Sequence, residues 1–292
     1  MSLSDTQVSG SRSEWMGMRR KRGLWFSGVA IALLFGSVAA HAGNRGADGE
    51  FEERRSSHFT LYQDVDIDET SGFHGSRRFE QRVLELLESA YESLEHQVGL
   101  RPDQPITVIV YDPKIYDSRF VGLFRFSAAG FYAGQIHVRG GASLSPSLAR
   151  VLHHELVHAA FDQAMPASSL PAWFNEGTAE WFEARSAGKR RLSAQERSFL
   201  HAASQRGALF SFQQLSSPTF AGFGPGAARI AYLESYGFVA YLAHHHSERR
   251  VRDWIREAAR SGDLDRATRR TFRTDLARLE ERYLKELARG GP

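Results

Sequence analysis

Apolar residues recur along this chain in two rhythms, and the alternation between them lays out the elements. Residues 58–62 (HFTLY) and 106–111 (ITVIVY) are short aromatic or β-branched runs bounded by turn formers, and each predicts a strand. Between them Phe79, Val83, Leu86, Leu87, Ala90, Leu94 and Val98 return every three or four positions, which predicts an amphipathic helix over 77–98 with Gly99 as its stop. Phe131-Tyr132 and the run 135–138 flank Ala133-Gly134, the pattern of a hairpin. From Ser145 the rhythm becomes helical. Ser145 suits an N-cap and Pro146 a first turn, and Leu148, Val151, Leu152 and Leu156 follow at helical spacing. Pro171 opens a second helix that Gly188 closes. Further helices are expected over 193–204, 227–246, 251–259 and 274–288, with a glycine- and proline-containing loop over 210–226.

The pattern predicts an α+β chain with a small mixed sheet and helices in an upper lobe, about 58–164, and a mainly helical lower lobe, about 165–292. Residues 43–57 are polar and charged and are expected to form a flexible segment. No internal repeat interrupts this plan.

Composition adds one correction to a naive reading of charge. The chain of 292 residues is 42% hydrophobic, as a globular protein with a real core should be, and carries a net charge of +3. Five Lys/Arg and two Asp/Glu lie in residues 1–42, which leaves 32 of each sign in the remainder. A neutral remainder gives no electrostatic case for nucleic acid. The basic excess is Arg19, Arg20, Lys21 and Arg22, followed by the apolar run 24–39 and then Ala40-His41-Ala42, the order of a secretory signal peptide with an A-x-A site. The run is shorter than a spanning helix needs, so cleavage near Gly43 is expected over a retained N-terminal anchor, with no stable membrane span afterwards. The expected location is the bacterial periplasm or the exterior. Met16 and Met18 are alternative starts for that leader. Cysteine is absent and decides nothing about compartment.

The candidate chemistry sits in the two helices after the hairpin. His154-Glu155-Leu156-Val157-His158 places two imidazoles four residues apart on one helix face. In the next helix, Leu170 to Glu183 reads LPAWFNEGTAEWFE, with Glu176 and Glu180 also four apart. A catalytic zinc takes three protein ligands and one open position, and His154, His158 and Glu176 complete that set. Glu155 is offset by one residue, beside the metal instead of on it, where it can accept a proton from water. Glu180 is placed to accept the second ring N–H of a ligand histidine. His153 points about 100° away and is read as non-ligating. Glu183 is read as a solvated face residue, and His244-His245-His246 as a helix terminus and not a second metal site.

H-E-x-x-H followed by seventeen residues and then Glu176 within W-F-N-E-G-T-A resembles the gluzincin zinc metallopeptidases, most closely the peptidase-MA-like domains. The resemblance covers about 145–188. It implies a thermolysin-like or aminopeptidase-like catalytic core, one Zn²⁺ per chain held by His154, His158 and Glu176, Glu155 as general base and Glu180 as outer partner. Thr178 stands where the aminopeptidases carry an aromatic residue and the spacing to Glu176 is one residue shorter, which argues against that subgroup. No G-x-x-H follows His158, as a metzincin requires. The resemblance also implies a sheet edge along the cleft, here Gln135, Ile136, His137, Val138 and Arg139, able to bind an extended peptide as an added strand. It further implies a downstream oxyanion donor, for which Tyr232 is the first candidate and Tyr236 the second. The expected partner is a peptide or protein. The other reading of the same residues is a catalytically idle zinc-containing module that binds peptide or cell-wall material.

Overall fold

The computed structural model describes residues 51–65, 67, 75–165 and 170–290. The expected signal segment lies outside them. Five strands and nine α-helices are found among the described residues. The strands are β1 (Glu52–Arg55), β2 (Phe59–Gln63), β3 (Ile106–Tyr111), β4 (Gly130–Tyr132) and β5 (Ile136–Arg139). The helices are α1 (Gly75–Gln97), α2 (Pro113–Arg119), α3 (Pro146–Ala164), α4 (Ala172–Ser186), α5 (Ala194–Gln205), α6 (Pro225–His246), α7 (Glu248–Ser261), α8 (Leu264–Phe272) and α9 (Leu276–Ala288). Every strand precedes residue 140 and the chain from 170 onward is helices and loops, so the fold is the α+β arrangement the pattern predicts.

The strands form one mixed sheet in the order β1-β2-β3-β5-β4. Parallel pairing of β2 with β3 aligns Phe59 with Ile106 and Leu61 with Val108, and α1 supplies the crossover between them. Alternate residues Phe59, Leu61, Val108 and Val110 are buried. They meet Val83, Leu87 and Leu94 of α1 and Leu152 and Leu156 of α3 in the main core. The hairpin expected around Ala133-Gly134 is present, with Phe131 opposite His137 and Gly134 at φ +75°, a conformation glycine adopts without strain.

Two expectations need correction. Part of the supposed flexible segment, Glu52–Arg55, is the edge strand β1, paired antiparallel with β2. Its E-E-R-R sequence has little β-propensity, and its order comes from the ladder and from the ion pair of Arg54 with buried Glu80. The second concerns residues 135–139. β5 lies between β3 and β4, with Ile136, His137 and Val138 buried, so both of its backbone edges are already engaged and it cannot accept a peptide strand. The edge on this side of the sheet is β4, because the hairpin folds its first strand outward over the free side of β5.

In the lower lobe, α4 packs between α3 and α6. Trp173 stacks on Phe212 at 4.2 Å and meets Phe238 at 5.5 Å, while Phe174 meets Trp254 edge-on at 4.8 Å. The Trp254 indole N–H donates to Thr268 at 3.0 Å, so this large buried ring leaves no orphaned donor. No helix among the described residues is long and apolar enough to cross a membrane.

Candidate metal centre

Local sequence sets α3 in place first. The Ser145 hydroxyl accepts the Leu148 amide at 3.1 Å, Pro146 occupies the first turn, and Leu148, Leu152 and Leu156 bury one stripe. Burying that stripe turns His154 and His158 toward α4. His153 is turned off the pair, its Nδ1–H donating to the Ala149 carbonyl at 2.7 Å, as the helical offset predicts.

On α4, Phe174, Ala179 and Phe182 face the core and Glu176 points back at the histidines. Gly177 makes this approach possible: a Cβ there would lie 2.6 Å from the Ser235 carbonyl oxygen, so α4 and α6 touch backbone to backbone next to Glu176. Glu176 Oε2 lies 3.2 Å from His154 Nε2 and 3.4 Å from His158 Nε2. A tetrahedral zinc with donors at about 2.0–2.1 Å holds those donors about 3.3–3.4 Å apart from one another. Both contacts of Glu176 match that spacing, and the three donor atoms all lie within 4.8 Å of one another, a group that could hold such an ion.

Charge and hydrogen bonding support the same donor set. Burial opposes an ionised Glu176, but His158 and His154 pull its carboxyl down to about 2. Burial also opposes charge on His154, yet contacts with Glu176 and Glu183 raise its pKa well above the ordinary value. A zinc ion would replace these protons, since histidine ligates only when neutral. His158 Nδ1 lies 3.0 Å from Asn175 Oδ1, which fixes the ring with its other nitrogen toward Glu176. Sequence reasoning missed Asn175. Its position one residue before Glu176 in W-F-N-E-G puts it near the site but does not show which residue it meets.

Glu155 is 5% exposed and its Oε2 has no hydrogen-bond partner among the described residues. Burial pushes its carboxyl up, with the two histidines pulling the other way. A buried carboxylate oxygen kept free of protein donors has its acceptor capacity available for water or substrate. Glu155, His154 and Tyr232 line one cleft of about 380 Å³, together with Phe126, Glu180 and Glu183. Tyr232 is edge-on to Phe126 at 5.9 Å, and its ring centroid lies 6.5 Å from that of His154. Next in sequence to Phe126, the Arg125 guanidinium donates to the Gly222 carbonyl at 3.2 Å.

The other expected site residues fall elsewhere or shift. Tyr236 is buried with its ring under Lys189 at 4.7 Å and does not line that cleft. The carboxylate nearest His154 Nδ1 is not Glu180, at 3.9 Å, but Glu183, at 3.4 Å. Reading Glu183 as a solvated face residue is thus corrected, because α3 covers it. His137 is packed against Phe131 and bonded to Tyr111 at 2.9 Å, and burial lowers its pKa to about 4. The Arg139 guanidinium is held by Asp117 at 2.9 and 3.0 Å. At the end of α6, His245 pairs with Glu286 and His246 packs on Phe272, consistent with a helix terminus.

The model of one protein family, the peptidase MA superfamily, matches residues 88–288, from within α1 to the end of α9 and including both motifs. The chain belongs to the peptidase MA superfamily. No curated protein matches the sequence. Membership of the peptidase MA superfamily makes this a zinc-metallopeptidase-like domain, and peptides or proteins the class of molecule it would act on.

Proposed function

We propose that the chain is an exported zinc-dependent metallopeptidase that hydrolyses peptide bonds, with His154, His158 and Glu176 as metal ligands and Glu155 as general base. The observation that carries this is the pair of contacts at 3.2 and 3.4 Å that Glu176 Oε2 makes with His154 and His158, with the buried Glu155 carboxylate lining a cleft beside His154. Zinc held there supplies Lewis acidity toward the scissile carbonyl and the attacking water. Glu155 takes the proton of that water as it attacks and passes it to the departing amine. Tyr232, on the far wall of the cleft, donates its phenolic hydrogen to the oxygen on which negative charge develops. Asn175 keeps His158 in the tautomer that presents Nε2. The export part of the proposal rests on the basic, apolar and A-x-A order of residues 19–42.

The substitution Glu155→Gln tests the mechanism, because it keeps size and reach while removing the proton acceptor. Zinc content and melting temperature are expected to stay near the parent's, while turnover of a peptide drawn from a broad library falls by about 10²- to 10⁴-fold. His154→Ala should lose zinc, stability and activity together. Equal turnover by Glu155→Gln and parent would exclude Glu155 as the base. Zinc retained with no cleavage by the parent across the library would favour the idle binding module.

A further inference from the structure

The helices α3 and α4 run past each other as two facing stripes. Arg150, His154 and His158 are spaced i, i+4, i+8 on one, and Glu176, Glu180 and Glu183 are spaced i, i+4, i+7 on the other. Their contacts are ordered like rungs. His158 meets Glu176, His154 meets Glu176 through Nε2 and Glu183 through Nδ1, and the Arg150 guanidinium meets the second oxygen of Glu183 at 3.6 Å. The Glu183 side chain is 19% exposed and that of Glu180 33%. Glu180 has no ion-pair contact within 4 Å other than the 3.9 Å approach to His154 among the described residues.

Taking the zinc reading of the site as given, we infer that Glu183, and not Glu180, is the positioning residue for the ligand His154. A ligand histidine coordinates through one nitrogen and donates its other N–H to an outer acceptor, which sets the tautomer and raises ligand basicity. His154 Nδ1 makes no hydrogen bond to any described residue as the side chains stand, and Glu183 Oε2, at 3.4 Å, is the carboxylate oxygen nearest to it, the one a small turn of the ring would engage. Arg150 lies 3.6 Å from the other oxygen of Glu183, which favours the orientation that leaves the near oxygen facing the ring. The chain thereby steadies its two histidines with different chemistry: a neutral amide, Asn175, behind His158 and an arginine-backed carboxylate behind His154. The spacing from the third ligand to this acceptor is seven residues, two helical turns, instead of the four that the resemblance implies.

The test measures zinc affinity of the full chain by competition with a chromophoric chelator, for the parent and for Glu183→Ala, Glu180→Ala, Glu183→Gln and Arg150→Gln. Losing the outer partner of a ligand histidine weakens metal binding by about 10- to 100-fold, and Glu183→Ala is expected in that range. Glu180→Ala should change affinity by less than about threefold. Glu183→Gln, which keeps an acceptor without the charge, should recover part of the loss, and Arg150→Gln should show a smaller loss of the same kind. A merely structural role predicts that the melting temperature of the zinc-free Glu183→Ala protein falls and that Glu183→Gln gives no recovery of affinity; the inference expects the zinc-free melting temperature to match the parent's. A larger loss in Glu180→Ala than in Glu183→Ala, or no loss beyond threefold in either, overturns the assignment of Glu183 while leaving the metal site standing. A parent that binds zinc no better than His154→Ala would overturn the metal reading itself, and this inference with it.

Discussion

Gly177→Ala adds a single methyl group beside the third ligand, and its effect can be worked out from the packing. The new Cβ would lie 2.6 Å from the carbonyl oxygen and 2.8 Å from the carbonyl carbon of Ser235, both backbone atoms in the middle of α6. Neither can swing aside as a side-chain end could. Restoring an ordinary contact of about 3.4–3.5 Å requires α4 and α6 to part by somewhat less than an ångström. Overpacking of this kind destabilises by about 1–3 kcal/mol, and replacing a helical glycine returns at most about 1 kcal/mol of propensity. The expected net loss is about 1–2 kcal/mol, a fall in melting temperature of roughly 2–8 °C for a domain of this size. The larger effect should be on metal, since ligand distances tolerate only about 0.2 Å and Glu176 is the adjacent residue. Thermal unfolding of the zinc-free protein and chelator competition of the loaded one separate the two effects. Gly226→Ala is the control: it lies in the first turn of α6, and its new methyl would meet no atom within 4 Å beyond its own chain neighbours and helix backbone, so neither quantity should fall. If Gly177→Ala melts within a degree of the parent and binds zinc equally well, the backbone contact does not set the position of Glu176.

Three further outcomes can be checked. Glu234 is fully buried on α6, where burial raises its pKa to about 8, the Phe210 amide opposing and Glu280 adding to the shift. A carboxyl raised in the folded state contributes stability that is complete below its ordinary pKa and is lost as pH rises toward 8. The stability difference between Glu234→Gln and parent should therefore grow in favour of the variant from about pH 5 to pH 8, by at most about 1.4 kcal/mol per pH unit, and a flat difference in denaturant titrations would refute the neutral form. Tyr232→Phe should lower turnover with zinc affinity unchanged, by about 10- to 10³-fold if it donates to the oxyanion, whereas Tyr236→Phe should leave turnover within about threefold; the reverse ranking in steady-state kinetics would reject Tyr232. N-terminal sequencing of the exported protein should begin at or near Gly43, and an intact chain recovered with membranes would replace cleavage by anchoring.

Much of the site could be read from the sequence because one helix fixes its own geometry. The four-residue spacing of His154 and His158, the offset of Glu155 and the outward turn of His153 follow from 3.6 residues per turn and needed no tertiary information. Glu183 and Asn175 were not legible, because their roles depend on how α3 and α4 are registered against one another, and spacing within a helix shows which residues share a face but not what that face meets. The same limit explains Gln135 to Arg139. Alternation marked a strand there, but whether a strand is interior or at an edge depends on partners, and the outward fold of β4 took the edge position. Short elements with weak apolar signals were lost as well. α8 has only Ala267, Thr268 and Phe272 as its buried residues, and α2 is a seven-residue helix begun by the Asp112 cap and Pro113.

All the side chains proposed to grip or steady the metal, from Arg150 to Glu183, lie within 34 consecutive residues on a single helical hairpin, while Tyr232 lies 56 residues beyond Glu176, on α6. Closing so short a stretch takes little chain entropy, and that entropy grows only with the logarithm of loop length. Zinc would therefore act as a crosslink internal to the hairpin and would not tie the sheet to the C-terminal helices. In a denaturation series Tyr232, which lies outside the hairpin, can lose its aim while the Gly177–Ser235 contact still holds Glu176 in place, so turnover should begin to fall before metal is released. Retained zinc would then mark an intact hairpin, and a preparation could be fully loaded yet inactive.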